Sequence, residues 1–298
     1  MAYIKRSPIW PDPRVKPPFR GSRVNFSHPL GRGLFGGWLF NEGAGVPQDI
    51  VRVTPGIPGG SVSWKASPRG SVYSFDGTSG LLVGPDYAEF NNVAAFTVAA
   101  LVQLNSLSAD DCVFSKDTGV LFIHRIVLAV SEVGIGGTDD VLIVIGNGGN
   151  TLGYTQSNLL TTNVLQHWCA VYDGSGAASA DKLKFYFNGV PITLTFIGTI
   201  PATTDPMAGA GVQMGHENAT TNSDATYLHG GIGQALFYNR PLSPQEVAWL
   251  NAEPYAMFTP VIRRRYFVPS AAAGRPEFFT TRLLPSVGAG PTFGEVNL

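Results

Sequence analysis

KLKFYFNGVPITLTF, residues 182–196, is the stretch that decides the fold. Leu183, Phe185 and Phe187 alternate with Lys182, Lys184 and Tyr186, the period-two pattern of a strand with one buried face. Asn188-Gly189 interrupts the alternation with the two residue types that best accept the positive φ angles of a tight hairpin turn. Val190, Ile192, Leu194 and Phe196 then resume it. Pro191 has no N–H to give to a ladder, so the return strand is expected at a sheet edge.

Strands of the same kind are expected on both sides of this hairpin. GLFGGWLFN (33–41), VYSFDG (72–77), AFTVAALVQL (95–104), VLFIHRIVLAV (120–130), VLIVIG (141–146), LQHWCAVYDG (165–174) and HGGIGQALFYN (229–239) are apolar runs of strand length. Turn clusters such as GIGGTDD and GNGGN separate them. That spacing predicts a two-sheet antiparallel sandwich, not alternating strand–helix units. One helix is expected, at LSPQEVAWLNAEP. Ser243 fits its N-cap, Pro244 its first position, and Glu246 completes a capping box. Val247 and Leu250 share one face. The fold class is therefore all-β, with one short C-terminal helix and an extended arm at each end.

Composition and charge add a second layer. The 298 residues are 44% hydrophobic and only 14% charged, with 36 glycines and 22 prolines, which suits a large core joined by many turns. No apolar run reaches the roughly 18 residues of a membrane-spanning helix, and the N-terminal Lys5 and Arg6 lead into prolines, not into the apolar stretch of a secretion signal. No membrane partner is expected. The net charge of −1 is unevenly spread. Residues 1–33 hold seven Lys/Arg and one Asp, a net of +6; residues 254–298 hold five Arg and two Glu, a net of +3; the remainder carries −10. Three units are expected: a proline-rich basic arm at 1–32, a sandwich domain at 33–253, and a basic and aromatic arm at 254–298. An acidic body with basic arms predicts anchoring to another protein. Its expected contacts are Lys5, Arg6, Trp10, Arg14, Lys16, Phe19, Arg20 and Arg23 in the first arm, and Arg263, Arg264, Arg265, Tyr266 and Phe267 in the second. Nucleic acid is not an expected partner, because a body of net −10 repels a duplex.

Chemistry is harder to find. Gly-x-Ser-x-Gly is absent, and the five histidines show no metal-ligand spacing. Cys112 and Cys169 are far apart in sequence and form no Cys-x-x-Cys, so the expectation is two buried thiols. No enzyme activity and no cofactor are expected.

Six stretches in order resemble one family. GLFGGWLFNEGAG (33–45), YSFDG (73–77), FTVAALVQL, LQHWCAVYDGS, KLKFYFNGV and HGGIGQALFYNRPLSPQEVAWL are similar to the successive hallmarks of laminin G-like, concanavalin A-like lectin/glucanase jelly rolls. The resemblance spans roughly 33–253. The flanks SRVNFSHPLGRGL and PYAMFTPVIRRRYF resemble the ends of jelly-roll proteins among tailed-bacteriophage virion genes.

The resemblance implies several further expectations. One is a virion structural protein, a capsid decoration or a tail-attached jelly roll, assembled in the bacterial host cytoplasm. Its partners are then the major capsid or tail protein, copies of itself and host-surface glycans. A receptor-binding lectin module of a fibre or spike is the alternative. Glycan binding would fall to the loop GHENATTNSDATY, through His216, Asn218, Asn222 and Tyr227. Calcium-binding relatives make Asp76, Asp139 and Asp140 the metal candidates, although no contiguous ligand set joins them; pentraxin relatives make a Cys112–Cys169 bridge conceivable. The glucanase pattern Glu-x-Asp-x-x-Glu, which aims its carboxylates from one strand face, does not occur.

Overall fold

The computed structural model describes residues 12–18, 21–107, 111–119, 124–130, 139–146, 149, 151–156, 159–217 and 226–261, with the backbone of two short strands at Tyr266–Pro269 and Pro276–Phe279. Two antiparallel sheets dominate it. One, of ten strands, follows the order Val190–Ile192, Leu183–Phe187, Leu165–Asp173, Ala95–Leu104, His229–Tyr238, Leu34–Trp38, Gln48–Asp49 and Thr54–Pro55. Gly70–Asp76 also pairs with His229–Tyr238 and carries Val62–Ser67. The second, of eight strands, runs Thr195–Ile197, Leu152–Tyr154, Val141–Ile145, Arg125–Val130, Cys112–Asp117, Gln213–Met214, Leu81–Val83 and Ile57–Gly59.

The hairpin forms as expected. Phe185 pairs with Ile192 and Phe187 with Val190, and Asn188 and Gly189 turn the chain at φ 49° and 81°. Val190–Ile192 is an edge strand, which leaves Pro191 without a ladder bond to miss. The helix is Pro244–Ala252. Glu246 N donates to Ser243 Oγ at 3.2 Å and Ser243 N to Glu246 Oε2 at 2.9 Å, a complete capping box. Val247 and Leu250 are its buried residues.

Between the sheets lies a core built largely of rings. Phe35, Tyr87, Phe90, Phe96, Phe114 and Phe237 meet at centroid distances of 5.1–6.4 Å, several of them edge to face. Trp38 Nε1 donates to Tyr87 OH at 3.2 Å, and Tyr87 OH donates to the buried carboxylate of Asp49 at 2.7 Å. Asp49 Oδ1 accepts from Gly37 N and Val51 N. The polar ends of Trp38 and Tyr87 are thus satisfied inside the core.

A second apolar cluster covers the far face of the ten-stranded sheet. Val24, Leu30, Leu242, Val247, Leu250, Tyr255, Met257 and Phe258 close over Leu39, Ala99, Cys169, Val171 and Leu236. Its lid includes residues from both sides of the 33–253 unit. Ser22–Val24 pairs with Phe258–Pro260, and Arg240 joins Glu246 (2.7 Å) to the carbonyls of Pro29 and Arg32. Lys16 reaches further, donating to Ser71 O (2.6 Å), Gly233 O (2.7 Å) and Phe40 O (3.2 Å). Cys169 sits under this lid, whereas Cys112 belongs to a third cluster on the opposite side, with Val127, Ala129, Leu142, Val144 and Leu152. Both thiols are free and buried, so the bridge the pentraxin resemblance suggested does not form.

Candidate functional site

The eight-stranded sheet turns one face to the ring-filled core and the other away from it. Phe114, Ile126, Leu128 and Ile143 point inward. Alternation therefore sends Ser115, Asp117, Arg125 and Gln213 outward, and the register aligns Ser115 with Gln213 on one side and Val127 on the other, with Asp117 opposite Arg125.

On this outer face the sheet gathers a polar cluster. His216 follows Gln213–Met214 and makes an isolated antiparallel bridge with Tyr227. Their rings lie 4.4 Å apart at 34°. His216 Nδ1 lies 2.7 Å from Gln213 Oε1, and Ser115 Oγ donates to the His216 carbonyl at 2.9 Å, so both the ring and the backbone of His216 are fixed. Burial lowers the imidazole below its usual range. Next along the chain, Glu217 pairs with Arg125 and anchors its backbone N–H on Thr226 O at 3.3 Å. Burial raises the neighbouring Asp117 carboxyl to about 6. The charge of Glu217 adds to this, while the Gly119 N–H, Arg125 and His124 oppose it. His124 in turn meets Asp205 at 2.7 Å. His216, Glu217 and Tyr227 are all partly exposed.

Two of the four expected glycan contacts, His216 and Tyr227, come together here; Asn218 and Asn222 lie outside the described residues. Sequence reading did not name Gln213, Ser115, Arg125, Asp117 or Glu217. Their one sequence signal is the alternation Gln213-Met214, polar out and apolar in; Glu217 follows His216 directly, and Ser115, Asp117 and Arg125 come from strands roughly a hundred positions away.

The metal candidates fall elsewhere. Asp76 closes its own turn, accepting from Thr78 N, Ser79 N, Gly80 N and the Thr78 and Ser79 hydroxyls at 2.7–3.0 Å. Burial would raise its carboxyl, but these donors outweigh that and hold it well below the usual range. Asp139 and Asp140 precede the strand Val141–Ile145, with Asp140 buried. Among the described residues no three His, Cys, Asp or Glu side chains converge as a metal site.

Of the expected arm contacts, Arg14 and Arg23 are exposed, and Lys16 is committed to the chain's own carbonyls. Tyr266 and Phe267 lie in a two-stranded ladder, opposite Phe279 and Phe278. Lys5, Arg6, Trp10, Phe19, Arg20, Arg263, Arg264 and Arg265 fall outside the described residues.

Two sheets in antiparallel register, with a polar patch on the outer face of one, define a lectin-like jelly roll. Residues 75–248 match the concanavalin A-like lectin/glucanases superfamily, more than half of the chain, and the chain belongs to that family. Among solved structures it is similar to domain 4 of AbnA, a GH43 extracellular arabinanase from Geobacillus stearothermophilus, solved in complex with arabinotriose. There the identity is 19% and the TM-score 0.54, over 73% of this chain and 98% of that one. The binding domain of botulinum neurotoxin DC, solved in complex with SialylT, is similar at 7% identity and a TM-score of 0.51, over 75% of this chain and 52% of that one. These likenesses are of fold. No curated protein sequence matches the chain.

Proposed function

We propose that this chain is a non-catalytic glycan-binding module that uses the cluster around His216 and Tyr227. The observation that carries the reading is the close, tilted His216–Tyr227 ring pair, partly exposed and held in place by Gln213 and Ser115. A ring face beside fixed amide, imidazole and carboxylate groups suits a sugar, which offers an apolar C–H face and a rim of hydroxyls. The reading also suits a fold shared with an arabinanase domain solved with arabinotriose. Arabinotriose is therefore the first probe, followed by a panel of bacterial surface glycans. Calorimetry on the full chain should give binding that Tyr227→Ala weakens about tenfold or more, the loss of roughly 1.4 kcal/mol of contact. Wild-type affinity in both Tyr227→Ala and His216→Ala would overturn the assignment, and release of reducing sugar by the wild-type chain would overturn its non-catalytic character.

A second reading concerns where the module is carried. The split of charge into +6, −10 and +3 supports a virion protein held on a phage capsid or tail by its arms, with the glycan site facing the host. Exposed Arg14 and Arg23 are available to such a partner. Deleting residues 1–11 together with 262–298 and replacing Arg14 and Arg23 by Glu should then abolish incorporation into particles; normal occupancy would argue against the anchor.

A further inference from the structure

A second polar concavity lies on the other sheet. Trp64 packs on the core and Tyr73 is part of it, so Ser63, Lys65 and Ser74 face away from it, with Gly231 opposite Ser74. There they border a cleft of about 200 Å³ that Ser61, Asp76, Asn105 and His229 also line. Pockets for drug-sized ligands run to about 300–1,000 Å³, so this one suits a single small ring.

The groups around it are ready for a ligand. Among the described residues neither the Asn105 amide nor the Lys65 ammonium has a hydrogen-bond or ion-pair partner. His229 has Nδ1 3.2 Å from Ser106 Oγ, which leaves Nε2 as its other polar atom. Ser61 is fixed by its backbone N–H on Ser79 Oγ at 3.1 Å.

Charge selects the class of ligand. The cation of Lys65 is balanced by the anion of Asp76, whose oxygens already accept from five donors and have little left to offer. The surrounding body carries a net −10, which disfavours a carboxylate, sulfate or phosphate. An amide, an ammonium, an imidazole and serine hydroxyls together donate and accept, as vicinal hydroxyls require. The cleft lies on the opposite outer face of the sandwich from the first site, and the chain crosses between the two sheets at Leu228. Tyr227 belongs to the His216 cluster and His229 to the cleft, two residues on. Buried Leu228 stands between them.

We propose that the cleft is a second site for one uncharged sugar ring, held by Lys65, Asn105 and His229 on the face opposite the Tyr227 cluster. It rests on the reading of His216 and Tyr227 as a glycan site, and site-resolved detection separates the two.

The test is an amide-resolved NMR titration of the full chain with arabinotriose, L-arabinose, D-galactose and, as the anionic arm, N-acetylneuraminic acid. A neutral sugar should shift the Asn105 side-chain amide and the Gly231 amide. Lys65→Met and Asn105→Ala should each weaken that response about tenfold, the effect of one lost hydrogen bond, while Tyr227→Ala leaves the monosaccharide response in place. Both substituted residues stand at the surface or half-buried, and an unchanged spectrum elsewhere reports that the fold is intact. Shifts confined to His216 and Tyr227 would overturn the second site and leave the first site standing. Shifts at Asn105 that survive both substitutions would overturn the residue assignment. Tighter binding of N-acetylneuraminic acid than of the neutral sugars would overturn the ligand class. No response at either place overturns both readings.

Discussion

Lys16 Nζ donates to the Gly233 carbonyl at 2.7 Å, joining residues 217 positions apart in the chain. Its other two protons go to Ser71 O and Phe40 O, and close by Asn41 Nδ2 donates to Pro17 O at 2.6 Å. The segment 12–18 is thereby tied to three separate strands or their ends. Charge-assisted bonds in a half-buried setting contribute about 1.5–3 kcal/mol each at most, and the net of the set is smaller. Lys16→Met is expected to lower stability by about 2 kcal/mol in urea unfolding and to speed amide exchange at Val15 and Tyr255, whose N–H bonds Pro13 O. Unchanged exchange at Tyr255 would show that the ammonium does not hold the segment.

His167 gives the fold an acid sensitivity. The ring is buried, and neither nitrogen has a hydrogen-bond partner among the described residues. Burial lowers its pKa to about 4, with the Arg69 charge adding. The unfolded chain, with an ordinary value near 6.5, binds more protons across that interval, so stability is full above pH ~6.5 and falls as pH drops toward ~4. The loss amounts to about 3 kcal/mol at 1.4 kcal/mol per pH unit. His167→Leu removes the proton site and two unsatisfied atoms, and should flatten this part of the stability–pH curve while leaving neutral-pH stability equal or higher. An identical slope in wild type and variant would exclude His167 as the cause.

The capping box at Ser243 and Glu246 supports more than its helix. Glu246 also fixes Arg240, which holds the Pro29 and Arg32 carbonyls. Ser243→Ala is expected to cost about 1 kcal/mol, the usual value of an N-cap side chain. Glu246→Ala, which removes the cap partner and the ion pair together, should cost more than Ser243→Ala in the same urea titration.

The two thiols lie on opposite outer faces of the sandwich, and burial pushes both up, Cys112 and Cys169 alike. Thiolate chemistry is correspondingly suppressed. Ellman's reagent should find no reactive thiol in the folded chain and both in denaturant, whether or not a reductant was present beforehand. A hydrogen pair missing from the intact mass would reveal a bridge.

What could be read in advance divides along physical lines. The Asn188-Gly189 hairpin, the Ser243–Glu246 cap and the strand Ala95–Leu104 were legible because local chemistry alone specifies them. Cys112–Asp117 was not. Its Ser115, Lys116 and Asp117 break the apolar pattern of a strand, yet all are buried, Lys116 by reaching Asp86 Oδ1 at 2.5 Å and Ala210 O at 2.6 Å. The run 120–130 reads as one strand; Arg125–Val130 is a strand, after His124 at φ 58°, and 120–123 lie outside the described residues. Val62–Ser67 does alternate, Val62, Trp64 and Ala66 against Ser63, Lys65 and Ser67, but the signal is short and half-exposed, and the strand is held by Gly70–Asp76. The site divides the same way: His216 and Tyr227 stood out in a polar loop, but Ser115, Arg125 and Gln213 meet them only through register.

The pairing of Ser22–Val24 with Phe258–Pro260 has a mechanical side. The two strands are antiparallel, so the chain enters at Ser22 and leaves at Pro260 on the same end of the ladder. Tension applied through those two points would load the Ser22–Pro260 rung first and open the pair one rung after another, instead of shearing all three together. The resistance would come next from Arg240, whose bonds to the Pro29 and Arg32 carbonyls must break before the sandwich itself bears force.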